Sequence, residues 1–179
     1  MILQKFIGCL EIMKPNTNNP SWSDLKSPAI LLATWFGCGF LPKAPGTWGS
    51  LFALPFAWAI HSAFGGAGLA LAAAILFFIG IWCADAFIRI SKIEDPSPVV
   101  IDEVVGIWLV LSPLAPSPAS FTLGFLLFRL FDVLKPWPVS WADRSIKGGL
   151  GVMVDDVLAA VYAGTLLYII SMWLEAGYV

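Results

Sequence analysis

From residue 50 onward the sequence alternates long apolar runs with short polar ones, and the apolar runs fall at about 50–64, 67–90, 98–115, 119–135 and 149–174. A helix that crosses a bilayer needs about 20 residues, with a range of about 17 to 25. The second and fifth runs meet that length. The first is short and contains Pro55, which predicts a tilted, kinked or partly inserted helix. Four or five spans are therefore expected.

Gly65-Gly66 separates the first two runs, and the segment from Ser112 to Pro118, with Pro113, Pro116 and Pro118, separates the third from the fourth. Both read as tight turns between antiparallel helices. The predicted fold is all-α, a polytopic membrane helical bundle built mostly from helical hairpins. Residues 29–41 are apolar but end in Gly37, Gly39 and Pro42, which predicts a re-entrant or surface segment. Residues 1–28 read as a polar tail with a short interfacial helix at 2–13. They lack the order of a signal peptide. Residues 29–179 form one integral-membrane domain.

Composition supports the membrane reading, because 59% of the residues are hydrophobic and 12% charged, against about 25% charged in a soluble domain. The net charge of −2 offers no basic face for nucleic acid. Cys9, Cys38 and Cys83 are odd in number and widely spaced, which argues against a disulfide framework or a zinc site.

On an up-and-down arrangement all ten Lys and Arg share the side of the N-terminus, as do the acids except Glu175, while His61 lies opposite. The positive-inside rule makes the charged side cytoplasmic. Asp85, Asp102, Glu103, Asp132, Asp155 and Asp156 then sit on helix ends at one depth. Charges close to hydrocarbon face a partner, water or the bundle interior. Glu94 and Asp95, in a Pro-containing loop, read as solvated acids.

The pairs Asp102-Glu103 and Asp155-Asp156 both read as opening an apolar helix. Adjacent carboxylates in a low dielectric repel unless a cation lies between them, and oxygen-only ligands near phosphate point to Mg2+. Neighbouring helical residues point about 100° apart, so one member of each pair is expected to face inward. The bland alternative is that these acids complement helix N-termini. Arg129, Asp132 and Lys135 follow i, i+3, i+6 spacing, with Arg144 soon after, a face suited to an anionic headgroup. Its alternative is an intrahelical Arg129–Asp132 ion pair with basic anchors.

The segment Leu41 to Ser50 carries Lys43, Gly46, Thr47 and Gly49 at the entry to the first hydrophobic helix, a composition able to cradle phosphate at a helix N-terminus. Cys83 and Arg89 fit a Cys-x5-Arg spacing, but a continuous helix spends its N–H groups internally and forms no phosphate loop. His61, the one histidine, lies away from the charges. A small ion-coupled transporter is the alternative from another class, yet its carboxylates would approach the midplane from both sides.

Four motifs in order, Pro42 to Ser50, Ile101 to Gly106, Phe128 to Pro138, and Asp143-Arg144 with Gly149 to Asp156, resemble the phosphatidylglycerophosphatase A family over about residues 40–165. Ala160 stands where that resemblance leads one to expect glycine. The resemblance implies Mg2+-dependent removal of the terminal phosphate of phosphatidylglycerophosphate, giving phosphatidylglycerol at a bacterial inner membrane, with that lipid and the surrounding membrane lipid as partners. Within that frame the chemistry of the residues assigns Asp102, Glu103, Asp155 and Asp156 to the metal. Lys43, Arg129, Lys135 and Arg144 would neutralise phosphate, and Thr47, Ser50 and Asp143 would bind substrate. Asp132 serves either as general base or as nucleophile through an aspartyl-phosphate.

Overall fold

The computed structural model of the chain describes residues 20–176, so the helix expected at 2–13 lies outside it. Among the described residues every regular element is helical. We number the α-helices α1 (Pro28–Ala33), α2 (Pro45–Ser91), α3 (Ile101–Leu111), α4 (Pro118–Leu134), α5 (Val139–Ser145) and α6 (Gly148–Ala176).

Helix α2 is 47 residues long but breaks at Gly65, whose φ of 69° and ψ of −177° lie outside the helical region. Glycine reaches that conformation without a Cβ penalty. The limbs 45–64 and 66–91 fold back on each other, which packing at the start of α3 makes plain. A Cβ on Gly49 would meet the Val100 side chain at 2.7 Å, while one on Gly80 would lie 3.5 Å from the Ile101 side chain. Two adjacent residues thus touch both limbs, as the hairpin expected at Gly65-Gly66 requires.

Helix α3 has 11 residues, eight of them buried, and at 1.5 Å per residue it is about 16 Å long. The hydrocarbon core of a bilayer is about 30 Å thick. The run at 98–115 therefore forms an enclosed central helix rather than a lipid-facing span. The Trp108 indole N–H donates to the Ala53 carbonyl at 3.2 Å and fixes α3 to the first limb of α2. On its other side Gly106 admits the Phe128 ring of α4 and the Asp156 carbonyl of α6, and Gly124 of α4 lies against Leu111 and Leu167. Helix α4 has 17 residues and a Ser117–Ser120 capping box at its start.

Two helices are long and apolar enough to cross a membrane, Pro45–Ser91 and the Gly148–Leu174 part of α6. Their outward faces carry large apolar side chains such as Phe64, Phe78, Trp82, Val161 and Trp173, an exposure that suits contact with lipid. The segment at 29–41 is a short buried helix and turn. Ala29, Ile30 and Ala33 are enclosed, and the Ala33 carbonyl accepts the Val100 N–H at 2.8 Å just ahead of α3.

Candidate active site

The charged helix ends meet in one cavity of about 280 Å³, whose wall includes eight carboxylates and two lysines. Its floor is built from α3 and α6. Asp102 and Glu103 occupy the first turn of α3, whereas Asp155 and Asp156 lie two turns inside α6, which begins at Gly148. The expectation that Asp155-Asp156 opens its helix is thereby corrected. The N-terminus of α6 is instead met by Asp85, which accepts the Gly149 N–H at 2.6 Å.

One carboxylate oxygen from each of Asp102, Glu103 and Asp156 lies within 4.8 Å of the others. Asp102 Oδ1, Glu103 Oε2 and Asp156 Oδ2 are enclosed and have no hydrogen-bond partner. Enclosed carboxylate oxygens that converge without donors repel one another, and a hard divalent cation with oxygen ligands removes that repulsion. Both members of the α3 pair turn toward this cluster. The α6 pair divides, because Asp155 turns to Lys135.

Lys135 ends α4 in a left-handed conformation, φ 41°, which aims its side chain across the cavity. Its ammonium lies 2.5 Å from Asp143 Oδ1 and 2.8 Å from Asp155 Oδ2. Burial works against its charge, but the bonds to Asp143 and Asp155 outweigh that effect and hold Lys135 above the ordinary lysine range. A cation fixed between two carboxylates is pre-organised beside the acidic cluster.

Arg129 takes a different position from the one its spacing suggested. Its Nη1 lies 2.7 Å from Asp132 Oδ2 and 3.8 Å from Glu103 Oε1, so it sits among the acids and does not form the cavity wall. The intrahelical Arg129–Asp132 pair is present, extended to α3. Gly46 makes room for it: a Cβ there would overlap the Glu103 carboxylate and approach Arg129 Nη1 to 3.0 Å.

The segment at 41–50 enters α2 through Lys43 and Ala44, both left-handed, with φ of 59° and 52°. Pro45 and Gly46 reach the cavity wall. Lys43 is exposed and Thr47 half-buried, and neither lines the wall. Ser50 is buried and donates to the Gly46 carbonyl at 2.9 Å, within its own helix. Arg144 is exposed and its Nε donates to the Ser140 carbonyl at 2.8 Å. The structure therefore gathers Asp102, Glu103, Asp132, Lys135, Asp143, Asp155 and Asp156 at the wall and leaves Lys43, Thr47, Ser50, Arg129 and Arg144 off it.

Sequence reasoning missed Glu94 and Lys147. Both line the cavity at its exposed mouth, where Lys147 Nζ meets Glu94 Oε2 at 2.8 Å and draws the Glu94 carboxyl below its usual value. No local pattern joins residues 53 apart, although Lys147 directly precedes the Gly148-Gly149 turn into α6. Cys83 is fully buried inside the second limb of α2 and forms no loop, in keeping with the rejection of a thiol phosphatase.

These features define a helical membrane protein with an acidic, lysine-bearing site at one end of its bundle. The chain belongs to the phosphatidylglycerophosphatase A family, whose sequence model matches residues 31–171. It is 35% identical over 148 residues to phosphatidylglycerophosphatase A of Escherichia coli K12, covering 82% of this chain and 86% of that protein. The enzyme of that name from Haemophilus influenzae Rd is 36% identical over 159 residues, 88% of this chain and 98% of its own length. A Bacteroides thetaiotaomicron protein named as a candidate phosphatidylinositol-3-phosphatase is 40% identical over 158 residues, 80% of this chain and 93% of its own. No solved structure matches the chain.

Proposed function

We propose that the chain hydrolyses the terminal phosphomonoester of phosphatidylglycerophosphate, releasing phosphatidylglycerol and phosphate, at the cytoplasmic face of a bacterial inner membrane. The observation that supports this most directly is the meeting of three carboxylates, Asp102, Glu103 and Asp156, each with an enclosed oxygen that has no hydrogen-bond partner, beside a fixed lysine in a family of lipid phosphatases. Asp102, Glu103 and Asp156 would hold Mg2+, which when bound supplies Lewis-acid polarisation of a phosphoryl oxygen.

The remaining roles fall to the chain's own groups. Lys135, anchored by Asp143 and Asp155, offsets negative charge on the phosphate oxygens as the bond to the leaving glycerol oxygen breaks. Asp132 lines the cavity next to the cluster and takes the proton of the attacking water, which then passes to the leaving oxygen. Arg129 holds Asp132 and Glu103 in register.

The test is phosphate release by the purified full chain from phosphatidylglycerophosphate, and separately from phosphatidylinositol 3-phosphate, with Mg2+ and with a chelator. Release from the first lipid, abolished by chelation, is the expected result. Preference for the inositol lipid would reassign the substrate to the chemistry named for the Bacteroides relative. Absence of release from either lipid under any divalent ion would overturn the enzyme reading for this site.

A further inference from the structure

We propose that Lys147 is a substrate-anchoring residue at the cavity mouth and that Glu94 is its placeholder, exchanged for a phosphate oxygen when the anionic headgroup enters. This rests on the phosphatase reading and assigns one more residue to that site.

Three observations carry it. First, the charged groups of the cavity wall are eight carboxylates and two lysines, so those lysines are the side chains of the wall that attract an entering phosphate by their own charge. Second, Lys135 is committed to Asp143 and Asp155 inside the cavity, whereas Lys147 has one ion-pair partner, Glu94. Third, that pair is open to water, with the side chains 63% and 75% exposed. Exposed ion pairs are weak because solvent screens them and both side chains keep their freedom. A phosphate group offers more charge and more acceptor atoms than a single carboxylate, so it displaces Glu94 without leaving a buried group unpaired.

The position suits an anchor that acts before the chemistry. Lys147 and Glu94 come from different parts of the chain, the turn into α6 and the loop between α2 and α3, and they meet at the exposed part of the cavity wall. The carboxylate cluster lies on the enclosed floor. An ammonium at the entrance attracts the headgroup across an otherwise repulsive rim and holds it over that floor.

The placeholder role gives the two residues opposite signs in one experiment. Lys147→Ala should raise KM for phosphatidylglycerophosphate about tenfold, as loss of a charged contact predicts, with kcat near that of the parent. Glu94→Gln frees the lysine and should lower KM by about threefold, in line with the weakness of an exposed pair. Binding of inorganic phosphate to the full chain in lipid nanodiscs, followed by calorimetry, should show the same opposite signs without turnover. The proposal is overturned if Glu94→Gln weakens phosphate binding as Lys147→Ala does, since the pair would then be a structural latch. It is also overturned if the charge-reversed double variant, Glu94→Lys with Lys147→Glu, binds and turns over like the parent. Opposite shifts in phosphate binding by a parent that hydrolyses neither lipid would refute the proposed reaction and leave the anchor standing.

Discussion

Lys135 Nζ lies 2.8 Å from Asp155 Oδ2, a bond that ties the end of α4 to the second turn of α6, while the other oxygen of Asp155 accepts the Asp156 backbone N–H at 3.0 Å. Two adjacent aspartates thus have different partners, one a lysine and the other a pair of carboxylates. Asp156→Asn should raise the Mg2+ concentration needed for half-maximal activity at least about tenfold, the loss expected for a charged ligand contact. Asp155→Asn should leave that concentration within about threefold while lowering kcat/KM by about tenfold or more, because it removes one of the two carboxylates that hold Lys135, leaving Asp143. Mg2+ titrations of both variants, with Mn2+ binding as a readout without turnover, check the contrast. Equal Mg2+ requirements would remove Asp156 from the metal site.

Arg129 and Arg144 should differ as sharply. Arg129 is half-buried between Glu103 and Asp132, and removing one partner of a buried ionic group costs about 3 to 5 kcal/mol. Arg144 is exposed and bonds only a carbonyl of its own helix among the described residues, so Arg144→Ala should stay within about 0.5 kcal/mol. Thermal unfolding of the two alanine variants in one detergent measures this, and phosphate release should follow the same order. A stable, active Arg129→Ala protein would contradict the tie between α3 and α4.

Gly46→Ala is expected to be more damaging than its size suggests, since the added methyl would overlap Glu103 and crowd Arg129. Overpacking of this kind costs about 1 to 3 kcal/mol. Thr47→Ala, one residue along and half-buried, is the control and should cost less. Unfolding midpoints and Mg2+ titrations together report whether the floor has shifted.

Cys83→Ala should retain most of the parent's rate per folded molecule. The side chain is fully enclosed within α2, so the substitution affects packing, not chemistry. A thousandfold loss in a folded protein would restore a thiol mechanism.

Topology has its own test. In a cysteine-free background, His61→Cys should react with an impermeant thiol reagent from outside the cell and Ser140→Cys should not. Residue 61 lies near the Gly65 turn, and Ser140 lies beside the charged end, with Arg144 bonded to its carbonyl. Equal labelling from outside would reverse or abolish the proposed orientation.

Much of this molecule was legible in its sequence because membrane burial imposes local rules. Unbroken apolar runs form helices, since backbone groups in hydrocarbon must satisfy themselves. Gly65 marks a turn because the Gly65-Gly66 pair interrupts two apolar runs and glycine reaches the left-handed backbone without a Cβ penalty. The gathering of Asp102, Asp132 and Asp156 at one cavity accords with where charge is tolerated beside apolar helices, and the i, i+3 pairing of Arg129 with Asp132 follows from helix geometry. Tertiary packing decided what periodicity does not contain. Spacing gives the direction of a side chain around its own axis but says nothing about which helix stands opposite. Packing alone made α3 a short enclosed centre, sent Asp155 to Lys135 and Asp156 to Asp102 and Glu103, and turned Arg129 from the cavity toward Glu103. The pairing of Glu94 with Lys147 lay furthest from the sequence's reach, because two loop residues 53 positions apart meet only after α2, α3 and α6 have fixed where their loops emerge.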